Sequence, residues 1–208
     1  MKNTITGITS SLSIMLVFQV SASYSSKNSV KTQHQLIKSK IENNMTTLNY
    51  TTTILVDQTP EEVFKAVSNV RGWWSESIEG NTDQLNEEFL YYYKDVHISK
   101  MKIVEYVPNK KIVWLVLDNQ FNFTKDKTEW NGNKIVFEIT PKGDKTELRF
   151  TQIGLVPTYE CYDVCRDAWK SYIQGSLKDS ITTGKGKPNA KEGGLNAELI
   201  EKWKLPNR

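Results

Sequence analysis

Between Thr158 and Ile181 the apolar residues fall at Cys161, Cys165, Ala168, Trp169, Tyr172, Ile173, Leu177 and Ile181. Steps of three and four over more than twenty residues describe one long amphipathic helix. Thr158 stands where a capping hydroxyl is wanted, and Glu160 and Asp163 occupy the first turn. Gly184, with Lys185 and Lys187 after it, supplies the stop. The preceding hundred residues have a different period. Phe89, Tyr91 and Tyr93 alternate with Glu88, Leu90 and Tyr92. Ile135, Phe137 and Ile139 share one face of the next hairpin with Leu148, Phe150 and Gln152. Pro108-Asn109 and Pro141-Lys-Gly-Asp144 are turn signals between apolar runs. A helix this long must bury its stripe, and an antiparallel sheet with one apolar face can cover it.

Upstream, Leu48 to Val56 is β-branched and aromatic and reads as a strand. Thr59, Pro60 and Glu62 form a capping box with proline at the first helical position. Val63, Phe64 and Val67 give that short helix an apolar face. Trp73 and Trp74 then stand side by side. Neighbouring residues point in different directions, so one is expected in the core and the other at the rim of a cleft. Asn119 to Thr128 reads as a polar loop, and Glu129-Trp130 as the start of a strand or a rim contact.

The segment Tyr172 to Asn189 contains glycines, hydroxyl residues and Gly-Lys pairs, but it is not a phosphate loop. Such a loop lies between a strand and the start of a helix, where free N–H groups meet the phosphate. This one lies at a helix's end. Gly186 also stands where Ser or Thr is required.

Charge excludes another class. The formal net charge is +3. Within residues 1–44, Lys2, Lys27, Lys31, Lys38 and Lys40 oppose Glu42, a net of +4, so the remainder carries −1. A nucleic-acid footprint on the folded part is not expected. The leader has an apolar run, Ile14 to Phe18, with small residues at Val20 and Ala22 in signal-peptidase spacing. The run is too short to span a bilayer, so no stable membrane span is expected. The alternative start is Met45, just before the first strand. Residues 1–44 therefore read as leader and polar linker, with a signal peptide over 1–22 if the chain is exported. A start at Met45 places the protein in the cytoplasm. Residues 45–188 form the domain, and 189–208 a polar tail with a short helix from Leu195 to Lys204.

Cys161 and Cys165 lie one helical turn apart, which is poor geometry for a disulfide, and read as small buried hydrophobes. The chain's histidines are His34 and His97. With so few further ligands, no metal site and no cofactor are expected.

The chain from about Met45 to Pro188 resembles the SRPBCC, or START-like, superfamily. Within it, the chain is similar to the AHSA-type branch, named for the C-terminal domain of the activator of the heat-shock-protein ATPase. The stretches carrying the resemblance are TPEEVFKAVSNVRGWW, EFLYYYKDVH, IVEYVPNKKIVWLV, KTELRFTQIGLVP and DAWKSYIQGSLKDSITTGKGKP, in that order and spacing. Where the family commonly reads Phe-Thr-His-x-Gly-Leu, this chain has Phe150-Thr-Gln152-Ile-Gly154-Leu155. Gln152 keeps the hydrogen bonding and loses the imidazole. The implied fold is α+β: the helix-grip (START-like) fold, a curved antiparallel sheet wrapped around one long C-terminal helix.

Such a fold leaves space between helix and sheet, either filled as core or open as an apolar pocket. The residues expected to line it are Trp73, Trp74, Phe89, Tyr91, Tyr93, Trp114, Phe137, Phe150, Gln152, Trp169 and Tyr172. Each aromatic alone reads as core, but several Tyr and Trp on one face imply a cavity dotted with polar groups. Gly175, inside the long helix, is expected to allow close approach to the sheet or leave room for a ligand. No Ser-His-Asp set exists, and His97 reads as a rim residue. Asp95, His97 and Glu105 make an acid–base cluster only if the strands bring them together. The expected function is therefore binding of a small hydrophobic molecule without turnover. The alternatives are a chaperone-associated interaction module, which implies a chaperone partner, and a cyclase- or hydrolase-like enzyme using the same cavity.

Overall fold

Strand alternation sets the sheet. In the computed structural model, which describes residues 49–206, seven strands pair in the order β1-β7-β6-β5-β4-β3-β2, every neighbour antiparallel. They are β1 (Tyr50–Val56), β2 (Ile78–Gly80), β3 (Glu88–Tyr93), β4 (His97–Val107), β5 (Lys111–Phe121), β6 (Lys134–Lys142) and β7 (Lys145–Ile153). The leader, the signal-peptide reading over 1–22 and the alternative start at Met45 lie outside the described residues.

The register places the predicted face inward. Phe137 pairs with Phe150, Ile135 with Gln152 and Ile139 with Leu148, and all six side chains are buried. Phe89, Tyr91 and Tyr93 are buried on β3, whereas Glu88 is exposed. β4 and β5 carry irregularities between Lys100 and Met101 and between Ile103 and Glu105. Bulges of this kind bend a sheet and raise its twist, which helps it curve around a helix. β5 extends to Phe121, so Asn119 is a buried strand residue rather than the start of the polar loop.

Helix α1 (Pro60–Ser68) begins as the sequence dictates. The Thr59 hydroxyl accepts from the Glu62 N–H at 3.3 Å, and the Glu62 carboxylate accepts from the Thr59 N–H at 2.8 Å. The long helix runs from 162 to 183 in three parts: α2 (Tyr162–Ser171), a π-helical stretch (Tyr172–Leu177) and α3 (Lys178–Thr183). Gly184, at φ 77°, ends it. Gly175 falls in the π-helical stretch. A Cβ there would meet nothing within 4 Å, so it marks no close approach to the sheet.

Gly186 does mark a close approach. A Cβ on it would sit 2.4 Å from the Gly72 carbonyl oxygen. The Lys187 N–H donates to Ser176 Oγ at 2.7 Å, and that hydroxyl donates to the Trp73 carbonyl at 2.6 Å. The Gly-Lys segment thus folds back onto the helix and the turn at Trp73. Asn189 continues the tie, its N–H donating to the Trp74 carbonyl at 2.9 Å and its carbonyl accepting from Glu76 at 3.0 Å. Helix α4 (Gly194–Trp203) follows, nearly coincident with the expected tail helix, and buries Leu199 and Ile200.

The start of the long helix departs from expectation. Thr158 lies upstream of it and is exposed, and Cys161 occupies the cap position with no side-chain bond. The cap comes from elsewhere in the chain. The buried Glu129 carboxylate accepts from the Glu160 N–H at 2.6 Å and the Cys161 N–H at 2.9 Å. An anion at a helix N-terminus satisfies orphan donors and complements the dipole. Glu129 is therefore a cap delivered across 31 residues of sequence, not a strand start.

Two charge-assisted bonds are lost when this carboxylate is removed. Glu129→Ala is expected to cost about 2 kcal/mol of stability, read as a lower urea midpoint with an unchanged slope. A loss below a few tenths would show that the cap contributes little.

Candidate functional site

Five of the six tryptophans meet between sheet and helix. Trp169 of α2 is their hub. Its ring lies 4.7 Å from Phe150 on β7, 5.1 Å from Trp74 and 6.0 Å from Trp130, the last nearly parallel at 15°. Its Nε1–H donates to Gln152 Oε1 at 2.6 Å, with both side chains buried. Since that indole can only donate, the Gln152 oxygen is pinned towards it. The Gln152 amide nitrogen then has no partner among the described residues.

On one side of Trp169 the packing is solid. Trp73 stacks on Trp114 at 6.4 Å and donates its Nε1–H to the Val67 carbonyl at 3.2 Å. Phe89 and Phe137 pack against Trp114 at 5.1 and 4.8 Å. On the other side a cavity of about 60 Å³ remains. The sheet contributes Tyr91, Tyr93, Val96, His97 and Phe121 to its walls, and the following loop Phe123 and Trp130. Trp74 and, from the long helix, Val164, Cys165, Ala168, Trp169 and Tyr172 complete the sides, and the C-terminal segment adds Asn196, Leu199, Ile200 and Leu205.

Of the eleven residues expected to line such a space, Trp74, Tyr91, Tyr93, Trp169 and Tyr172 do so. Trp73, Phe89, Trp114, Phe137, Phe150 and Gln152 do not; they fill the core beside it. Alternation identified the inward face correctly, but it does not say where along that face the packing opens. Neither tryptophan of the pair is a rim residue: Trp73 is 0% and Trp74 2% exposed. Nor do they point apart as expected: their rings stack at 6.4 Å and 23°, both lie against Trp114, and the long helix and the returning C-terminal segment cover them.

His97, expected at the rim, is half-buried in the cavity wall, its ring against Tyr91, Phe121 and Trp130 at 5.0, 4.4 and 4.9 Å. The acid–base cluster with Asp95 and Glu105 does not form. Glu105 pairs with Lys111 at 3.0 Å, and Asp95 is exposed in a turn. The partner of His97 is Asn119, with Nε2 2.9 Å from Oδ1. Asn119 is itself oriented by neighbours. Its Nδ2 donates to the Lys127 carbonyl at 3.1 Å, and its Oδ1 accepts from Ser99 Oγ at 3.2 Å. An oxygen that only accepts requires Nε2 to carry the hydrogen. Burial pushes the His97 ring down to about 3 from its ordinary 6.5, against a smaller upward pull from Asn119. The ring is therefore neutral at physiological pH.

The tyrosine hydroxyls of the wall stay protonated too. Burial raises Tyr91 and Tyr172 well above the usual tyrosine range. Tyr172 donates to Asn196 Oδ1 at 2.8 Å, and Asn196 Nδ2 donates to the Tyr91 hydroxyl oxygen at 2.9 Å. Asn196 thus fastens α4 to sheet and long helix at once. Among the described residues no Asp, Glu, Lys or Arg lines the cavity. Among the described residues no cluster of His, Cys, Asp and Glu could hold a metal, and no helix is long and apolar enough to cross a membrane. Cys165 faces the cavity and Cys161 is fully buried, both as free thiols.

The sequence reading missed His97, Trp130 and Asn196 as wall residues. A signal existed for His97 and Trp130, each a polar-handled ring beside an aromatic run. Nothing local marks Asn196.

Residues 57–181 match the model of a family described as activator of Hsp90 ATPase homolog 1-like protein. Solved structures share the fold. The solution structure of the Aha1 dimer from Colwellia psychrerythraea is 23% identical, with a TM-score of 0.54 over 67% of this chain and 99% of that one. A crystal structure of a Rhizobium loti protein is 16% identical, with a TM-score of 0.50 over 64% and 95% of the two chains. A Nitrosospira multiformis protein is 12% identical, at 0.50 over 65% and 97%. No curated protein matches the chain.

The depressed His97 titration has a sign. Between pH 6.5 and about 3 the unfolded chain takes up a proton that the folded one refuses, so stability falls as pH drops through that window. Urea midpoints at pH 7 and pH 4.5 should therefore drop further in the wild type than in His97→Phe. Equal drops would show that His97 is protonated in the folded state.

Proposed function

The chain belongs to the activator of Hsp90 ATPase homolog 1-like family, and we propose that it acts as a binding module for a small apolar molecule held between sheet and long helix. The observation carrying this reading is the cavity itself. Its walls are mostly aromatic and aliphatic, it has a few oriented polar groups, and it contains no ionised side chain. That is the usual composition of a small-molecule site. The hydroxyl and imidazole groups there are held in their neutral forms, which suits recognition rather than proton transfer at pH 7.

The cavity is small. Its 60 Å³ is about twice the ~30 Å³ share of one liquid water, and less than the ~150 Å³ of an engineered pocket that takes benzene. A guest must therefore displace part of the wall, and α4 is the element of the wall that lies outside both the sheet and the long helix. It covers the cavity with Leu199 and Ile200. Its fastenings are apolar and polar: the buried Leu199 and Ile200, the Asn196 bridge, Lys202 to Asp167 at 2.7 Å, and the Tyr93 hydroxyl near the Gly193 carbonyl at 3.5 Å. An exposed ion pair such as Lys202–Asp167 contributes little. In this reading helix α4 is the lid, and lifting it exposes Leu199 and Ile200 as well as breaking its hydrogen bonds, while the sheet and long helix stay packed.

A second reading, a chaperone-associated interaction module, is favoured by the family match and by the name of the Colwellia neighbour. Its test is whether the purified chain changes the ATPase rate of Hsp90. The ligand reading is tested by native mass spectrometry of the chain purified without detergent. An added mass that disappears on denaturation is expected; bare protein, even after incubation with an apolar library, would overturn it.

The lid has its own signature. Asn196→Ala removes both hydrogen bonds of the bridge while leaving the long helix intact. The Cys165 thiol should then react several-fold faster with a thiol reagent, with Cys161 unchanged. Equal rates in variant and wild type would show that α4 does not gate the cavity.

A further inference from the structure

The polar atoms of the cavity specify what kind of guest it takes; the inference rests on the ligand reading above. The Asn119 oxygen claims the hydrogen on His97 Nε2, and the Asn119 amide is held by Ser99 and the Lys127 carbonyl. Nδ1 is left as a lone-pair acceptor with no partner among the described residues, on a ring that forms part of the wall. Tyr91 completes the picture from the neighbouring strand. Its hydroxyl oxygen accepts from Asn196, while its own hydrogen meets no acceptor among the described residues. The two rings touch, centroids 5.0 Å apart and edge to face. The wall therefore offers an unused acceptor and an unused donor on two touching rings, both uncharged.

We propose that the site takes an uncharged ring alcohol, whose hydroxyl donates to His97 Nδ1 and whose oxygen is available to the Tyr91 hydroxyl, with its ring against the indoles of Trp130 and Trp169. Three features select this class. A flat guest suits walls of near-parallel indoles, since Trp130 and Trp169 lie at 15° to each other. A guest with a hydrogen-bond donor satisfies Nδ1, whereas a hydrocarbon that covers it leaves it unpaired. Neutrality is required because no charged side chain lines the cavity, and an unpaired ion buried there is costly.

The experiment uses the full chain, labelled with 15N, and follows the indole N–H signals of Trp74, Trp130 and Trp169 at pH 7. The probes are phenol, toluene and benzoate, which share a ring and differ in donor and charge. Phenol is expected to bind about tenfold more tightly than toluene, although toluene is the more apolar. Benzoate is expected not to saturate. In His97→Phe the advantage of phenol over toluene should vanish, while the comparison on the wild type needs no variant to fold. Toluene binding as well as phenol would overturn the ring-alcohol assignment and leave the cavity as an apolar site. Benzoate binding as well as phenol would overturn its neutrality. If none of the three shifts the indole signals at millimolar concentration, the ligand reading itself fails, and the inference with it.

Discussion

Trp169 is the side chain on which the rest of this structure depends. Its indole spans the gap between helix and sheet, touching Phe150 on β7, Trp130 in the loop after β5, and Trp74 in the turn after α1. Aromatic contacts of this kind contribute about 0.5–1.5 kcal/mol each beyond the area they bury. They do not by themselves fix rotation about the helix axis. Directional constraints come from hydrogen bonds, the Trp169 Nε1 bond to Gln152 at the centre and those of Gln174 to Thr52 and Ser176 to the Trp73 carbonyl beyond it, which together set how the helix is turned. The core lies on one side of the Trp169 indole and the cavity on the other.

Glu129 and Trp130 are adjacent and hold the same helix in two ways. The first binds the N–H groups at its start, and the second packs against its middle. A pair that read as a strand start or rim contact therefore has two structural jobs, and the cavity wall follows from them. The absence of charge in that wall has a similar origin. The carboxylates nearby in sequence are used elsewhere: Glu129 at the helix start, Glu105 with Lys111, Asp167 with Lys202 and Arg166. His97 is kept neutral by burial, with a fixed tautomer. What remains in the cavity is hydrogen-bonding capacity without net charge, provided by atoms whose orientation is set from outside it.

Much of the fold was legible because its signals are local. The capping box at Thr59 and Glu62, the period of two on β3, β6 and β7, the period of three and four after Cys161, and the stop at Gly184 each depend on residues within one or two turns. The short helix in the tail was readable for the same reason. The errors share the opposite cause. Thr158 looked like a cap because it stood at the right place, but the Glu129 carboxylate, 31 residues before Glu160, took that role. Trp73 and Trp74 looked like one core and one rim residue, because the sequence does not reveal that residues 185–189 return to cover the pair. His97 looked like an edge residue because Asn119, its partner, sat in what read as a loop.

The amino-acid sequence by itself determined the order of the elements, the inward face of each strand, the length of the long helix and the family to which they belong. Periodicity and caps are properties of neighbouring residues, and they survive without knowledge of what lies across the core. Only the tertiary structure decided which aromatics fill space and which border it. That distinction depends on the distance between helix and sheet at each level, and so on the Trp169–Gln152 bond and the bulges of β4 and β5. The tertiary structure also assigned Asn196 its place, because a bridge between two tyrosines and a tail helix exists only once three distant segments are brought together.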